Sequence, residues 1–78
     1  MEPTNREVFD VESSNVESFE YLTFPDGNKL RVRFKHGGVY DYTGVPREAL
    51  NQVLTAKSIG STFHQIIRNE YPFEKVDV

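Results

Sequence analysis

From Lys29 to Phe34 the chain alternates without interruption, Lys-Leu-Arg-Val-Arg-Phe, cation on one side and apolar side chain on the other. A period of two cannot form one face of a helix, so the segment is a half-buried β-strand with Leu30, Val32 and Phe34 inward. Turn chemistry bounds it on both sides. Pro25-Asp26-Gly27-Asn28 combines a preset φ with a glycine free to take positive φ, and His36-Gly37-Gly38 supplies a second tight turn. The segments beyond these turns, Phe19 to Phe24 and Val39 to Thr43, are rich in aromatic and β-branched residues, which predicts a three-stranded antiparallel meander.

The period changes after Gly44. Pro46 suits the first turn of a helix, and Leu50, Val53 and Leu54 recur at helical spacing up to Ala56. Ser58-Ile59-Gly60-Ser61 breaks this helix, Gly60 suiting a left-handed end and Ser61 a cap. Phe63, Ile66, Ile67 and Tyr71 then give a second helix its apolar face, which Pro72 ends. The expected architecture is α+β, in the order βββαα, with both helices on one sheet face. Its expected core is Leu30, Val32, Phe34, Leu50, Val53, Leu54, Phe63, Ile66 and Ile67.

At 78 residues there is room for one core. Residues 1 to 12 read as an acidic flexible tail that can end in a short extended piece through Val8 and Val11, 13 to 73 as the domain, and 74 to 78 as a short C-terminal tail. The 37% hydrophobic content is too high for a disordered chain, and the absence of cysteine excludes disulfides and thiolate metal sites. No apolar run is long enough to span a membrane, and Met1-Glu2-Pro3-Thr4 lacks a signal-peptide pattern, so the expectation is a cytoplasmic protein without a membrane partner. The net charge of −3 is unevenly spread. Residues 1 to 20 carry six acids against Arg6, a balance of −5, whereas residues 29 to 47 carry five bases (Lys29, Arg31, Arg33, Lys35, Arg47) against Asp41, a local +4. The acidic total argues against a dedicated nucleic-acid binder, while the basic stripe leaves room for a localised contact.

Taken in order, Ser13-Ser14-Asn15-Val16, Leu30-x-Val32-x-Phe34, Gly37-x-Val39-Tyr40-x-Tyr42, Val45-Pro46 and Ala56-x-Ser58-x-Gly60-x-x-Phe63, followed by Ile67 and Tyr71, resemble the KTSC domain. This small module stands alone in bacterial and phage proteins and is appended to some lysyl-tRNA synthetases. The resemblance covers residues 11 to 71. It brings no catalytic residues to carry over and implies a function not yet established for the family, with RNA binding proposed from the synthetase context; no cofactor is expected. The chain departs from the family pattern at His64, where a small polar residue, usually Asn, is commoner.

Two ligand sites follow from the residues themselves. Tyr40 and Tyr42 beside Arg31, Arg33 and Lys35 would form a stacking platform with phosphate partners if they share the basic sheet face. Loop parity decides this. A two-residue His36-Gly37 turn puts Arg33 opposite Tyr40 and Arg31 opposite Tyr42, whereas a three-residue loop from His36 to Gly38 puts Phe34 and Val32 there and sends both tyrosines to the core, with Asp41 and Thr43 toward water. The sequence permits either. The second site is Lys57, Ser58, Gly60 and Ser61, which unite a cation, hydroxyls and helix N–H groups where an anion could dock or where the residues simply cap. Ser13-Ser14-Asn15 reads as a turn or as a polar lip near that site. His36 and His64 show no metal-ligand spacing, and the carboxylates form no acid–base pair.

These features predict a non-enzymatic binding module whose partner is RNA or another phosphate-bearing ligand. A protein-interaction module docking a host or phage protein, and a protein that sequesters a small nucleotide, are the alternatives. The oligomeric state is open at this point.

Overall fold

A computed structural model describes residues 2–77. Five strands form one antiparallel sheet in sequence order: β1 (Asn5–Asp10), β2 (Val16–Phe24), β3 (Gly27–Phe34), β4 (Val39–Thr43) and β5 (Phe73–Val76). Between β4 and β5 the chain makes α1 (Arg47–Leu54) and α2 (Ile59–Phe63), and α2 runs on as a π-helical turn over His64–Arg68. The α+β class and the three central strands agree with the sequence. The strand count does not, because the expected acidic tail and C-terminal tail each contribute an edge strand.

Each edge has a physical reason. β1 pairs with β2 from Asn5↔Thr23 to Asp10↔Ser18, and its inner face is held by Arg47 of α1. The Arg47 guanidinium lies 5.1 Å from the Phe9 ring and 5.6 Å from the Tyr21 ring, and its Nη1 sits 2.6 Å from Glu7 Oε2. A half-exposed pair of this kind contributes about 0.2 to 1 kcal/mol, supplemented by the aromatic faces. At the other end β5 pairs with β4, and Phe73 packs its ring 5.4 Å from Tyr42.

The inner face carries the core. Phe19, Leu30, Val32, Val45, Leu50, Val53 and Ile67 are fully buried, with Val16, Tyr21, Tyr42 and Phe63 nearly so. Phe34, Leu54 and Ile66, which the sequence assigned to the core, pack against it half-buried. Glu17 is an extra residue in β2: the register passes from Val16↔Phe34 to Ser18↔Arg33. This bulge returns Val16 to the inner face, where strict alternation would have turned it out.

Loop parity resolves in favour of the core. Val32 lies opposite Tyr40 and Leu30 opposite Tyr42, and Phe34 N donates to Gly38 O at 3.2 Å, so the turn is the three-residue loop Lys35-His36-Gly37, two positions short of the expected register. Positive φ at Gly37 (90°) and Gly38 (93°) lets so short a loop close. Gly60 has no positive φ and sits inside α2, and the N-cap is Ser58, whose Oγ accepts from Ser61 N at 3.4 Å. Both assignments differ from the sequence expectation because the second helix starts two residues earlier than Ser61. No described helix is long and apolar enough to cross a membrane.

Candidate functional site

The outer sheet face does not offer its cations. Glu20, Arg31 and Asp41 lie in one row across β2, β3 and β4. Arg31 donates to Asp41 through Nε at 2.8 Å and Nη2 at 3.1 Å, and Asp41 is 4% exposed rather than pointing to water. That hydrogen bond holds the Arg31 guanidinium above its ordinary pKa, against the opposing effect of burial. Arg33 Nε lies 3.8 Å from Glu20 Oε1, and Arg6 Nη2 donates to the same oxygen at 3.1 Å. The two arginines of β3 are therefore engaged in an ion-pair network, formed because acids and bases alternate across strands at positions that face one another.

Tyr40 and Tyr42 lie on the opposite face. Tyr42 is 2% exposed, its ring 5.3 Å from Phe63, and burial raises its pKa despite the lowering influence of Arg68. The stacking platform of tyrosines and arginines is thus not assembled: its members are on two sides of the sheet. Tyr40 alone is half-buried and reachable.

Tyr40 belongs to a different cavity, a cleft of about 440 Å³ at the end of the sheet. Its aromatic wall is Phe34, Tyr40 and Phe63, with Phe34–Tyr40 centroids at 5.6 Å and Phe34–Phe63 at 5.9 Å, both edge to face. Polar groups come from three elements: Asn15 from the β1–β2 loop, His36 from the β3–β4 turn, and His64 and Arg68 from the π-helical turn. The β1–β2 loop is tied to the β3–β4 turn by Lys35 N, which donates to Asn15 O at 2.8 Å, and is braced within itself by Ser13 Oγ, which accepts from Asn15 N at 3.2 Å and Val16 N at 3.3 Å. Ser13-Ser14-Asn15 is therefore both the turn and the polar lip.

The π-helical turn keeps Ile67 in the core while His64 and Arg68 remain exposed beside the cleft. Such turns are rare and concentrate at functional sites. Arg68 Nη1 is 3.1 Å from His64 Nδ1. A guanidinium only donates, so Nδ1 accepts and Nε2–H is the ring's donor. From the cleft a polar groove continues past Asn15, Gly60 and Ser61 to Lys57 and Ser58, sharing Asn15 and Gly60 with it. A Cβ on Gly60 would lie 3.4 Å from Asn15 Nδ2 and 3.6 Å from Ser13 Oγ, so glycine keeps this groove open.

Of the nine residues singled out in the sequence, the structure brings Tyr40, Lys57, Ser58, Gly60 and Ser61 along one surface. Arg31 and Arg33 lie on the other face, Tyr42 is in the core, and Lys35 is exposed in the turn. Asn15 enters through the lip reading of Ser13-Ser14-Asn15, whereas Phe34, His36, Phe63, His64 and Arg68 belong to neither site expected from the sequence. Spacing of His64 and Arg68 at i and i+4 was the one readable signal, and the remainder meet only through tertiary packing. Among the described residues no group of His, Asp and Glu side chains is arranged to hold a metal ion.

Comparison with known proteins follows the same geometry. A 68-residue stretch is 32% identical to an uncharacterized protein of Stutzerimonas stutzeri strain A1501, covering 86% of this chain and 93% of that one. The crystal structure of a KTSC domain protein from Yersinia pestis superposes with a TM-score of 0.81 at 30% identity, over 94% of this chain and all of that one. The KTSC domain profile matches residues 12–71, which include β2 to β4, both helices and every residue of the cleft, and the chain belongs to the KTSC domain family.

Proposed function

We propose that the domain is a non-enzymatic binding module whose ligand site is the cleft beside Tyr40, and that its ligand is a nucleotide, free or as an unpaired residue of RNA. The observation that carries this reading is one cleft of about 440 Å³ lined both by the aromatic rings of Phe34, Tyr40 and Phe63 and by Arg68, His64 and His36. That volume falls among ordinary small-ligand pockets of about 300 to 1,000 Å³. A base has a flat π-face for Tyr40 and Phe34, and stacking of this kind contributes about 1 to 3 kcal/mol per base. Arg68 would take the phosphate, and the Asn15 amide supplies both a donor and an acceptor for a base edge. Lys57 and Ser58 at the far end of the groove would meet a second phosphate.

The salt dependence of binding distinguishes this site from a broad electrostatic surface. With one or two phosphates engaged, log K should fall against log salt with a slope of about −0.7 to −1.4 for a single strand. Fluorescence titration of short single-stranded RNAs and mononucleotides across salt gives the slope directly. Undetectable binding at low salt, or a loss of affinity in Arg31→Ala plus Arg33→Ala with none in Tyr40→Ala plus Arg68→Ala, removes the cleft from the account.

A further inference from the structure

β1 is one edge of the sheet, and among the described residues no strand pairs with its outer side. Register identifies the backbone groups that point there. Val11 N donates to Glu17 O at 3.3 Å, one step beyond the Asp10↔Ser18 pair. Hydrogen-bonded pairs alternate in an antiparallel ladder, so Asn5, Glu7 and Phe9 bond to β2 while Arg6, Val8 and Asp10 turn their N–H and C=O groups outward. The β2–β3 hairpin gives the same parity independently. It closes on Phe24↔Gly27 around a two-residue turn, which commits the even-numbered residues of β2 to β3 and the odd-numbered ones to β1.

The same three residues carry a palindrome. Laid antiparallel with Val8 opposite the partner's Val8, a second copy brings Arg6 opposite the partner's Asp10 and Asp10 opposite the partner's Arg6, with donors and acceptors in phase. The two neighbouring registers that keep this phase are worse: one sets Glu7 against the partner's Glu7, and the other sets Asp10 against Val8 and carries Arg6 beyond the end of the facing strand. Val8 is one of two large apolar side chains left exposed among the described residues, at 53%. Charged residues on an edge guard against casual pairing, but this pattern repels other strands while matching its own copy. The opposite edge lacks the property, because β5 has four residues and pairing it in phase about its centre places Glu74 against the partner's Glu74.

We propose that β1 is a homodimerisation edge, two copies pairing about Val8 into one continuous ten-stranded sheet with all helices on the same side. The contact is isologous, as a closed two-fold dimer requires. It is also small, which places its dissociation constant in the weak range. The proposal stands independently of the ligand reading.

The test is sedimentation of the full chain from roughly 1 µM to 1 mM, together with amide hydrogen exchange at both ends of that range. The expected result is a mass that rises from 9.0 kDa toward twice that value. Arg6, Val8 and Asp10 amides should gain protection with concentration, while Glu7 and Phe9 stay protected throughout. Val8→Pro removes an N–H that β2 does not use and should leave a folded monomer. Arg6→Glu and Asp10→Lys should each weaken self-association by about tenfold or more, and mixing the two variants should restore it, because the mixed pair matches charges at both positions. Should Arg6→Glu unfold beside Glu20, Val8→Pro and Asp10→Lys decide the matter alone. A monomer at every concentration, a dimer indifferent to Val8→Pro and Asp10→Lys, or protection gained elsewhere overturns the proposal.

Discussion

Arg31 grips Asp41 with two hydrogen bonds, 2.8 Å and 3.1 Å, across neighbouring strands on the open face of the sheet. The pair converts what reads as a recognition surface into part of the scaffold. Replacing Asp41 by Ala leaves a half-buried guanidinium unpaired and should cost about 1 to 3 kcal/mol in urea unfolding. Arg31→Ala plus Arg33→Ala should likewise reduce stability while leaving nucleotide affinity at the cleft within about twofold, because nothing on that face enters the cleft.

Phe63 is the keystone between core and cleft. It is 3% exposed, and its ring lies within 6 Å of Phe19, Phe34 and Tyr42. Phe63→Ala should cost about 3 to 5 kcal/mol. At about 4 to 8 °C per kcal/mol for a domain of this size, the melting midpoint should fall by more than about 12 °C in thermal circular dichroism.

Much of the fold was legible, and the reason is local. The alternation at Lys29 to Phe34, the two glycine turns and the helical spacing of Leu50, Val53, Phe63 and Ile67 each state their structure within a few residues. β1 and β5 were not legible because their stability is not local. Residues 5 to 10 are held as a strand by pairing with β2 and by Arg47, some forty residues away, which lies over Phe9 and pairs with Glu7. Parity of a single loop residue decides the site: a two-residue turn would set Tyr40 and Tyr42 among the arginines, whereas the three-residue loop turns them to the opposite face, and the local sequence is compatible with either.

Gly60 belongs both to α2 and to the lining of the groove. Ala there should raise stability by up to about 0.5 to 1 kcal/mol, since glycine weakens a helix interior and the added methyl meets Asn15 and Ser13 at ordinary contact distance. The same methyl narrows the groove, so nucleotide affinity should fall as the melting temperature rises. The paired measurements are thermal denaturation and titration.

Burial raises the pKa of both Tyr21 and Tyr42 above 10.0. Below that value the phenols are protonated in both states, and their contribution is fully present. As pH rises past it the unfolded chain releases its protons first, so stability declines through the folded-state values. Urea midpoints measured at rising alkaline pH should fall, and Tyr42→Phe should flatten the decline. Tyr21→Phe should flatten it too, at the cost of the 2.8 Å hydrogen bond from the Tyr21 hydroxyl to Val45 O.

Amide chemical-shift mapping with a short single-stranded RNA or a mononucleotide reads out the ligand surface residue by residue. Perturbations should concentrate at Asn15, Tyr40, Gly60, His64 and Arg68, with Arg31, Arg33 and Asp41 unmoved. Shifts centred on those last three residues, or none at any ligand concentration, would contradict the assignment of the cleft.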